Sequence, residues 1–387
     1  MKKLRIGIIG AGASRAAAFG RNLSKREDVE ITAISDINTK RLEAFSKNFN
    51  LDNVFKTNNY KEIIDKIDAA IVTTPDFTHK DIVIELLNSG VDVYCEKPMA
   101  TSINDAKEIV DAHEKSGRLL FVGFNMRFTW VFKTVKNIVD SEIIGKVFTI
   151  SQTEILDSYH TGSYYRRWHR KKEKSGDMIL TKSCHDLDMI TWLAGSKPKK
   201  VFGTAKRVFF TSDKKKADYC SICPIKSNCP FVYEQSNYNL SFEEKNNPTK
   251  FGLDLCVFND DSDINDLYKA IISYENGIQA VYELIPLSNR ETRLVYIVGE
   301  KGDIKVDAEE QKITVNIFGD KSIQEYKLDL ETDSHGGSDP LILDEFIRTL
   351  KGENVTKVDG IDGLIATALA ESIRISAETG EAVDFKI

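Results

Sequence analysis

Residues 3–20 read KLRIGIIGAGASRAAAFG, and this stretch decides the fold of the first third of the chain. Its first half is apolar and rich in isoleucine, as expected of a strand that is buried on both faces of a sheet. Its second half, from about residue 13, predicts a helix. Between them stand Gly10, which permits a tight turn, and Gly12, which lets the backbone approach a diphosphate. The stretch therefore predicts the first βα unit of a dinucleotide-binding domain.

The alternation of strand and helix continues to about residue 127. Helices are predicted over about 39–48 and 80–89. The predicted strands are EITAISD (30–36), DAAIVTTP (68–75), VDVYCEKP (91–98) and RLLFVGFNMRF (118–128). Such alternation is typical of right-handed βαβ units in a parallel sheet. We predict that residues 1–127 form an α/β domain of the Rossmann type.

Residues 128–387 are predicted to form a second, α+β domain. A helix is predicted at about 131–138. Eight strand candidates follow, from GKVFTISQTEIL (145–156) to IQEYKLDL (323–330). Two more helices are predicted at about 339–351 and 360–379. Consecutive strands with short connections predict an antiparallel meander, and hence an open, mostly antiparallel sheet. Residues 212–252 are polar and irregular, contain cysteines, and are interpreted as an insertion.

The length, net charge and apolar runs of the chain limit the kinds of molecule that it is expected to bind. The 387 residues are enough for two domains. The formal net charge is −6 and no long basic run occurs, which argues against nucleic acid or an anionic membrane as the main partner. No stretch approaches the ~18 apolar residues of a membrane span. The first lysines precede only a short apolar run that ends in glycines, unlike a signal peptide. We expect a cytoplasmic protein that acts on a small molecule.

The second predicted strand ends in Asp36, which lies 24 positions beyond Gly12. A carboxylate there can accept hydrogen bonds from the adenosine ribose and repels a 2′-phosphate, so NAD is predicted over NADP. Arg15 occupies the third position of the glycine motif, and Arg15, Lys40 and Arg41 are cations that could still accommodate NADP. The predicted cofactor-binding residues are Gly10, Gly12, Ala13, Ser14, Arg15, Asp36, Arg41, Thr74, Pro75, His79, Glu96, Lys97 and Asn125.

Several of these motifs together resemble one known family. GIIGAG (7–12), SDIN (35–38), TTPDFTH (73–79), EKPMA (96–100), GFNMRF (123–128) and the segment around His185 resemble the Gfo/Idh/MocA family. Members of that family are mostly NAD(P)-dependent oxidoreductases of sugars and cyclitols with an antiparallel-sheet second domain. The resemblance implies that Lys97 and His185 face the nicotinamide across the domain cleft.

Hydride transfer from a carbinol needs a base for the hydroxyl proton and a donor that steadies the developing oxyanion. His185 and Lys97 are predicted to fill these roles, because a neutral imidazole can act as base and a lysine beside NAD⁺ can share the proton. The segment 175–195 is predicted to be one helix, on which Thr181, His185 and Asp188 share a face. The resembling family commonly has Asp where this chain has Thr181, and Asp186 is interpreted as helix context.

A basic and aromatic segment, SYHTGSYYRRWHRKKEKSGD (158–177), precedes that helix. Aromatic rings beside fork-shaped donors suit sugars, although a basic surface loop would look the same. The predicted substrate residues are Arg127, Tyr164, Arg167, Trp168, His169, Thr181, Lys182 and Asp188.

Cys220, Cys223 and Cys229 form a C-x₂-C-x₅-C pattern within the predicted insertion. Three interpretations stay open: a structural metal, most simply zinc with Cys184, Cys256 or a His as fourth ligand; reduced thiols; and an oxidised pair.

The predicted function is transfer of a hydride between NAD(P) and a sugar, sugar acid or cyclitol, with Lys97 and His185 as the acid–base pair. An NAD-assisted glycosidase of the same family and a non-catalytic NAD or sugar sensor are the alternatives. Because an open sheet has one face to bury, a homo-oligomer through the second domain is also predicted.

Overall fold

The computed structural model describes residues 3–12, 14–234, 245–320, 322–328, 336–353 and 358–387. The chain separates into two compact units. The first unit contains Met1–Phe124, Tyr233–Leu253 and Asp339–Leu364, and the second contains Asn125–Val232, Asp254–Ser338 and Ile365–Ile387. Ala13, one of the predicted cofactor-binding residues, lies outside the described residues.

The first unit is built on a six-stranded parallel sheet, as predicted for the Rossmann domain. The strand order is β3-β2-β1-β4-β5-β6, so β1 lies beside β2 on one edge and β4 on the other. The strands are β1 (Leu4–Ile9), β2 (Val29–Ser35), β3 (Phe55–Thr57), β4 (Ala69–Val72), β5 (Asp92–Cys95) and β6 (Leu120–Val122). Strands β1, β4, β5 and β6 are almost fully buried, which explains their continuous apolar runs.

The helices of this unit follow the strands. They are α1 (Ser14–Leu23), α2 (Thr39–Asn48), α3 (His79–Asn88) and α4 (Ile103–Ser116). A later helix, Ser338–Leu350, also packs here from Asp339 onward: Phe346 meets Tyr94 and Phe121 edge-on, with ring centroids 5.4 and 5.7 Å apart. The sequence-based division had assigned residues 339–364 to the second domain, whereas in the structure they cluster with the first unit.

The second unit is built on a nine-stranded, mostly antiparallel sheet, as predicted. The order β14-β13-β12-β11-β7-β10-β9-β8-β15 differs from a simple meander, because β7 lies between β10 and β11 and runs parallel to β10. The strands are β7 (Val147–Asp157), β8 (Pro198–Lys206), β9 (Leu267–Tyr274), β10 (Gln279–Ser288), β11 (Thr292–Gly299), β12 (Gly302–Asp307), β13 (Lys312–Ile317), β14 (Ile323–Lys327) and β15 (Val383–Asp384).

The helices of the second unit include one break that the sequence pattern did not predict. They are α5 (Trp130–Asp140), α6 (Ser158–Arg166), α7 (Lys172–Ser175), α8 (Met178–Thr181) and α9 (Cys184–Ala194). We number Ser338–Leu350 α10 and Gly360–Thr379 α11. The prediction of a single helix over 175–195 was wrong. The backbone N–H groups of Lys182 and Ser183 both donate to the carbonyl of Met178, which ends α8, and α9 begins after Ser183.

The described part of the predicted insertion includes one-turn 3₁₀ helices at Ser212–Lys214, Cys220–Ile222, Lys226–Asn228 and Thr249–Phe251. An isolated antiparallel bridge pairs Tyr219 with Leu255. Among the described residues, none of the helices is both long and apolar enough to cross a membrane.

Candidate active site

The loop between β1 and α1 is shaped by two glycines. Gly10 has a φ of +98°, and a Cβ there would lie 2.8 Å from the backbone of Thr73. A Cβ on Gly12 would lie 2.3 Å from Cδ of Arg41, whose side chain crosses the loop. Only glycine fits at position 10, whereas a side chain at position 12 would displace Arg41, and Ser14 then begins α1. This geometry fits the diphosphate of a dinucleotide.

Asp36 is fixed at the end of β2 by two backbone donors. Its carboxylate accepts hydrogen bonds from the N–H of Gly12 at 2.9 Å and from that of Asn38 at 2.8 Å. The side chain is buried, so its position is set by the fold. A carboxylate held beside the glycine loop fits the ribose hydroxyls of NAD.

Arg15 is drawn into the first unit by two carboxylates. Its guanidinium lies 2.8 Å from Glu96 and 2.6 Å from Asp339, which is in the first turn of α10. The sequence predicted Arg15 and Glu96 as cofactor residues but did not find Asp339, which is 324 positions away. In the structure the two predicted cofactor residues Arg15 and Glu96 therefore form an ion pair with each other.

His79 joins two of the predicted cofactor loops. Its ring nitrogens lie 2.9 Å from the carbonyl oxygens of Pro98 and Thr74. Burial lowers the pKa of His79, so the ring is neutral at pH 7 and donates its single N–H to one of these carbonyls. His79 thus lies between the loop after β4 and the loop after β5 and donates to one of them, while Pro75 is exposed on the surface.

Lys97 follows β5 at the carboxyl end of the parallel sheet. It is half-buried, its backbone N–H donates to Glu96 Oε2 at 3.2 Å, and the Lys97–Pro98 peptide is cis. In open α/β sheets this end of the strands is where ligands bind. Asn125, the first residue of the second unit, is buried at the start of the 3₁₀ helix Asn125–Phe128.

His185 lies in the first turn of α9 in the second unit, with 7% of its surface exposed. Because α9 begins at Cys184, His185 stands where the first backbone N–H groups of the helix carry partial positive charge. Thr181 is buried at the end of the separate helix α8. The helix break therefore removes the shared helical face that the sequence predicted for Thr181 and His185.

A buried charged network surrounds the backbone of this segment. Lys182 Nζ lies 2.9 Å from Glu154 Oε1 and 3.6 Å from Glu291, and Arg293 Nε donates to Asp186 at 2.8 Å and bridges to Glu154. Sequence reasoning took Asp186 as helix context and missed Glu154 and Arg293. One signal was available, because Glu154 occupies an inward-facing position of β7, where an apolar residue is expected.

The charges of the network follow from its burial and its pairing. Burial alone would lower the pKa of Lys182, but the Glu154 carboxylate, together with Tyr164 and Glu291, outweighs it and the pKa is raised. Burial would raise the pKa of Glu154, yet Arg293 and Lys182 hold it well below its usual range. Burial raises the pKa of Asp186 well above its ordinary value, and the nearby Glu154 charge adds to this although Arg293 opposes it.

Arg127 and Asp188, both predicted to bind substrate, bind each other. Arg127 Nε donates to Asp188 Oδ2 at 2.8 Å and a second guanidinium nitrogen donates to the other oxygen. Both side chains are buried, and the guanidinium lies over the ring of Trp192. The pair joins the 3₁₀ helix at Asn125–Phe128 to α9.

The aromatic residues predicted to bind substrate form one cluster. The ring of His169 stacks on Trp168 with centroids 3.6 Å apart and meets Tyr164 edge-on at 5.0 Å. Arg167 donates back to the carbonyl and hydroxyl of Ser163 in α6. The aromatic surface suits a sugar ring, whereas these contacts direct Arg167 toward its own helix.

Zinc receives no support at the predicted cysteine site. Within the described parts of the chain, no group of three or more His, Cys, Asp or Glu side chains is placed to hold a metal ion.

Comparison with known proteins agrees with this geometry. The Rossmann sheet with its glycine loop and Asp36 defines a dinucleotide-dependent enzyme, and the family model described as "Oxidoreductase family, NAD-binding Rossmann fold" matches residues 4–124. The companion model, "Oxidoreductase family, C-terminal alpha/beta domain", matches residues 136–385. The chain belongs to the Gfo/Idh/MocA family of NAD(P)-dependent oxidoreductases, as its motifs predicted.

Individual relatives share the fold at low identity. YteT of Bacillus subtilis (strain 168), whose name states an oxidoreductase without a substrate, is 27% identical over 348 residues, or 82% of this chain and 81% of YteT. The myo-inositol 2-dehydrogenase of Thermotoga maritima is 29% identical over 201 residues, which is 51% of this chain and 57% of that enzyme. A levoglucosan dehydrogenase solved with NADH and levoglucosan is 18% identical with a TM-score of 0.78, covering 99% of this chain and 100% of that one.

Proposed function

We propose that this protein oxidises a CH–OH group of a sugar, sugar acid or cyclitol with NAD, and that Lys97 and His185 handle the hydroxyl proton. The observation that carries the proposal is the position of His185 in the first turn of α9. A neutral imidazole in that position can accept the hydroxyl proton. The inositol and levoglucosan dehydrogenases among the relatives support the substrate class.

Separate groups of residues would bind the cofactor, transfer the proton and contact the substrate. The glycine loop and α1 bind the diphosphate, and Asp36 binds the adenosine ribose and disfavours a 2′-phosphate. When bound, the nicotinamide accepts the hydride from the carbinol carbon. A ring nitrogen of His185 takes the hydroxyl proton, and Nζ of Lys97 donates to the oxygen as negative charge develops on it. The aromatic cluster at Tyr164, Trp168 and His169 supplies the apolar surface for a sugar ring.

The test is a screen of sugars, sugar acids and cyclitols with NAD and NADP, read as NADH or NADPH formation. Lys97→Met and His185→Gln are compared with Lys107→Met and His113→Gln, which alter α4 of the first unit. We expect the first two variants to lose about 10²–10⁴ in kcat. The affinity for NAD, measured by calorimetry, stays within about threefold in all four. Full turnover by Lys97→Met and His185→Gln on any substrate would contradict the mechanism.

The same screen separates the alternatives. An NAD-assisted glycosidase cleaves aryl glycosides without accumulating NADH, and Tyr164 and His169 would be its candidate acids. A sensor binds NAD or sugar without turnover of any substrate in the screen.

We also propose that copies of the chain associate through the exposed face of the nine-stranded sheet. The strand register aligns Phe202, Ile271, Val281 and Tyr296, with Ser151 between the last two, in one row across five strands. These four large apolar side chains are each 40–53% exposed, which marks a contact surface. Sedimentation of Ile271→Glu with Val281→Glu should show a smaller species than the native chain. An unchanged mass would refute this interface.

A further inference from the structure

The insertion brings four cysteines to one place. The bridge between Tyr219 and Leu255 is flanked by two hydrogen bonds, from Cys220 N–H to the carbonyl of Asp254 and from Cys256 N–H to that of Asp218, both at 2.8 Å. Cys220 and Cys256, which are 36 positions apart in the sequence, therefore lie on adjacent strands of chain.

Tight turns bring the other two cysteines to the same side. The N–H of Cys223 donates to the carbonyl of Cys220 at 3.3 Å, and that of Lys226 donates to Cys223 at 3.2 Å. The turn at Lys226 continues to Cys229, whose carbonyl accepts from Val232 at 3.2 Å. The chain from 220 to 232 is thus a series of single turns, with a cysteine at the start or end of each.

All four cysteines line one cavity and carry free thiols. The unfilled space within it is about 310 Å³, part of which is open to solvent. The remaining wall is aromatic and apolar apart from Lys226, and its lining residues are Tyr219, Lys226, Phe231, Val232, Val257 and Phe258.

We propose that Cys220, Cys223, Cys229 and Cys256 bind an iron–sulfur cluster of the four-iron, four-sulfide type. Four cysteine thiolates are the usual ligand set of such clusters. On binding, each thiol releases its proton and its sulfur bonds to one iron, with no change in the oxidation state of the protein sulfurs. The apolar wall shields the cluster, and the ammonium of Lys226 offsets its negative charge.

The arrangement favours a cluster over a single ion. A tetrahedral zinc site has Zn–S bonds of about 2.3 Å and so draws its four sulfurs to within roughly 3.8 Å of one another. The part of the chain that the structure describes has no group of three or more cysteines placed to hold one ion. A four-iron cluster takes one thiolate on each iron, so its four cysteines lie farther apart than in a zinc site, and here the four cysteines line one cavity.

The cluster has a structural role in this proposal. The described part of the insertion has one-turn helices and the one bridge as its regular structure, and its aromatic core is the packing of Phe209, Phe210, Phe231 and Phe258. Arg166 in α6 donates to the carbonyls of Phe231 and Leu255, next to the cavity. Ligation of the four turns would join residues 220–232 to residues 254–258 and fix this support for α6.

The experiment is metal and sulfide analysis of the full chain, purified without oxygen from iron-supplemented cells and then reconstituted with ferrous iron and sulfide. We expect about four irons and four acid-labile sulfides per chain, and visible absorption that dithionite bleaches. Cys256→Ser should fall to below about one iron per chain, while Cys95→Ala, a buried cysteine of the first unit, should keep the native content. Circular dichroism and NAD binding confirm that both variants are folded.

The other outcomes each overturn the proposal. One zinc per chain that disappears in Cys256→Ser would establish a single-ion site. Iron without labile sulfide, or two irons with two sulfides, would exclude the four-iron cluster. A chain without metal after reconstitution, whether its thiols alkylate freely or are found as a disulfide by mass spectrometry, would exclude a metal centre.

Discussion

Replacing Arg15 by methionine distinguishes a structural cation from a cofactor ligand. The guanidinium lies 2.8 Å from Glu96 and 2.6 Å from Asp339, and both carboxylates are buried. Removing one partner of a buried ion pair costs about 3–5 kcal/mol, because the remaining charge keeps its desolvation penalty. Glu96 retains the Lys97 N–H, and Asp339 retains the N-terminal dipole of α10. We therefore expect the first unit to lose about 3 kcal/mol of stability, the lower end of that range.

The assay must report the first unit separately. All three tryptophans, Trp130, Trp168 and Trp192, lie in the second unit, so their fluorescence is an internal control. Amide hydrogen exchange in peptides from β1, β4 and β5 measures the first unit, where exchange should accelerate by roughly 10²-fold. Arg21→Met, on the exposed side of α1, is the matched control. Unchanged exchange in Arg15→Met, together with a tenfold or greater loss of NADP affinity, would refute this reasoning and make Arg15 a cofactor ligand.

Three further predictions concern other parts of the chain. Asp36→Ala should raise the Kd for NAD about 10–100-fold and that for NADP much less, since a charge-assisted hydrogen bond contributes about 1.5–3 kcal/mol; equal losses for both cofactors in calorimetry would contradict the role in selectivity. Phe346→Ala should destabilise the first unit by about 3–5 kcal/mol, seen by hydrogen exchange, while Leu341→Ala on the exposed side of α10 should not. Although burial opposes it, the hydrogen bond from His160 and the charge of Lys182 lower the pKa of Glu291 to about 2. Because this pKa lies below the unfolded value of about 4.5, the Glu291 carboxylate stabilises the fold above about pH 4.5. That stabilisation is lost as the pH falls toward 2. Glu291→Gln should thus remove about 1–2 kcal/mol of this pH dependence, discounted because the side chain is 34% exposed; identical acid unfolding curves would contradict it.

The fold was largely predictable where one local pattern specifies one element. Residues 6–9 (IGII) are apolar and buried because β1 is hydrogen-bonded to a neighbouring strand on each side, and Gly10 follows because its φ is +98°. The insertion of β7 between β10 and β11 was not predictable in this way. Its pairing depends on residues more than 120 positions apart, and an alternating strand pattern does not name its neighbour.

The site was predictable only in its local parts. Asp36 has a set distance from the glycine loop, and Lys97 ends a strand, so both follow from chain position. Arg15 is 81 and 324 positions from its partners Glu96 and Asp339, and Asp186 is 107 positions from Arg293, so the sequence spacing does not indicate these pairs. Charged residues near a predicted site were therefore interpreted as ligand contacts, although several of them satisfy one another.

The segment from Lys182 to Asp188 shows what that pairing does for the proposed chemistry. Lys182 is held by Glu154, Asp186 by Arg293, and Asp188 by Arg127, so three side chains on both sides of His185 are anchored. Replacing such pairs by apolar residues would often cost no stability, and so stability alone does not account for them. A base that must meet a substrate hydroxyl within hydrogen-bond distance does gain from a fixed backbone, because a displacement of about 1 Å can cost 10²-fold in rate. The buried network is therefore best understood as support that positions the first turn of α9, and with it His185.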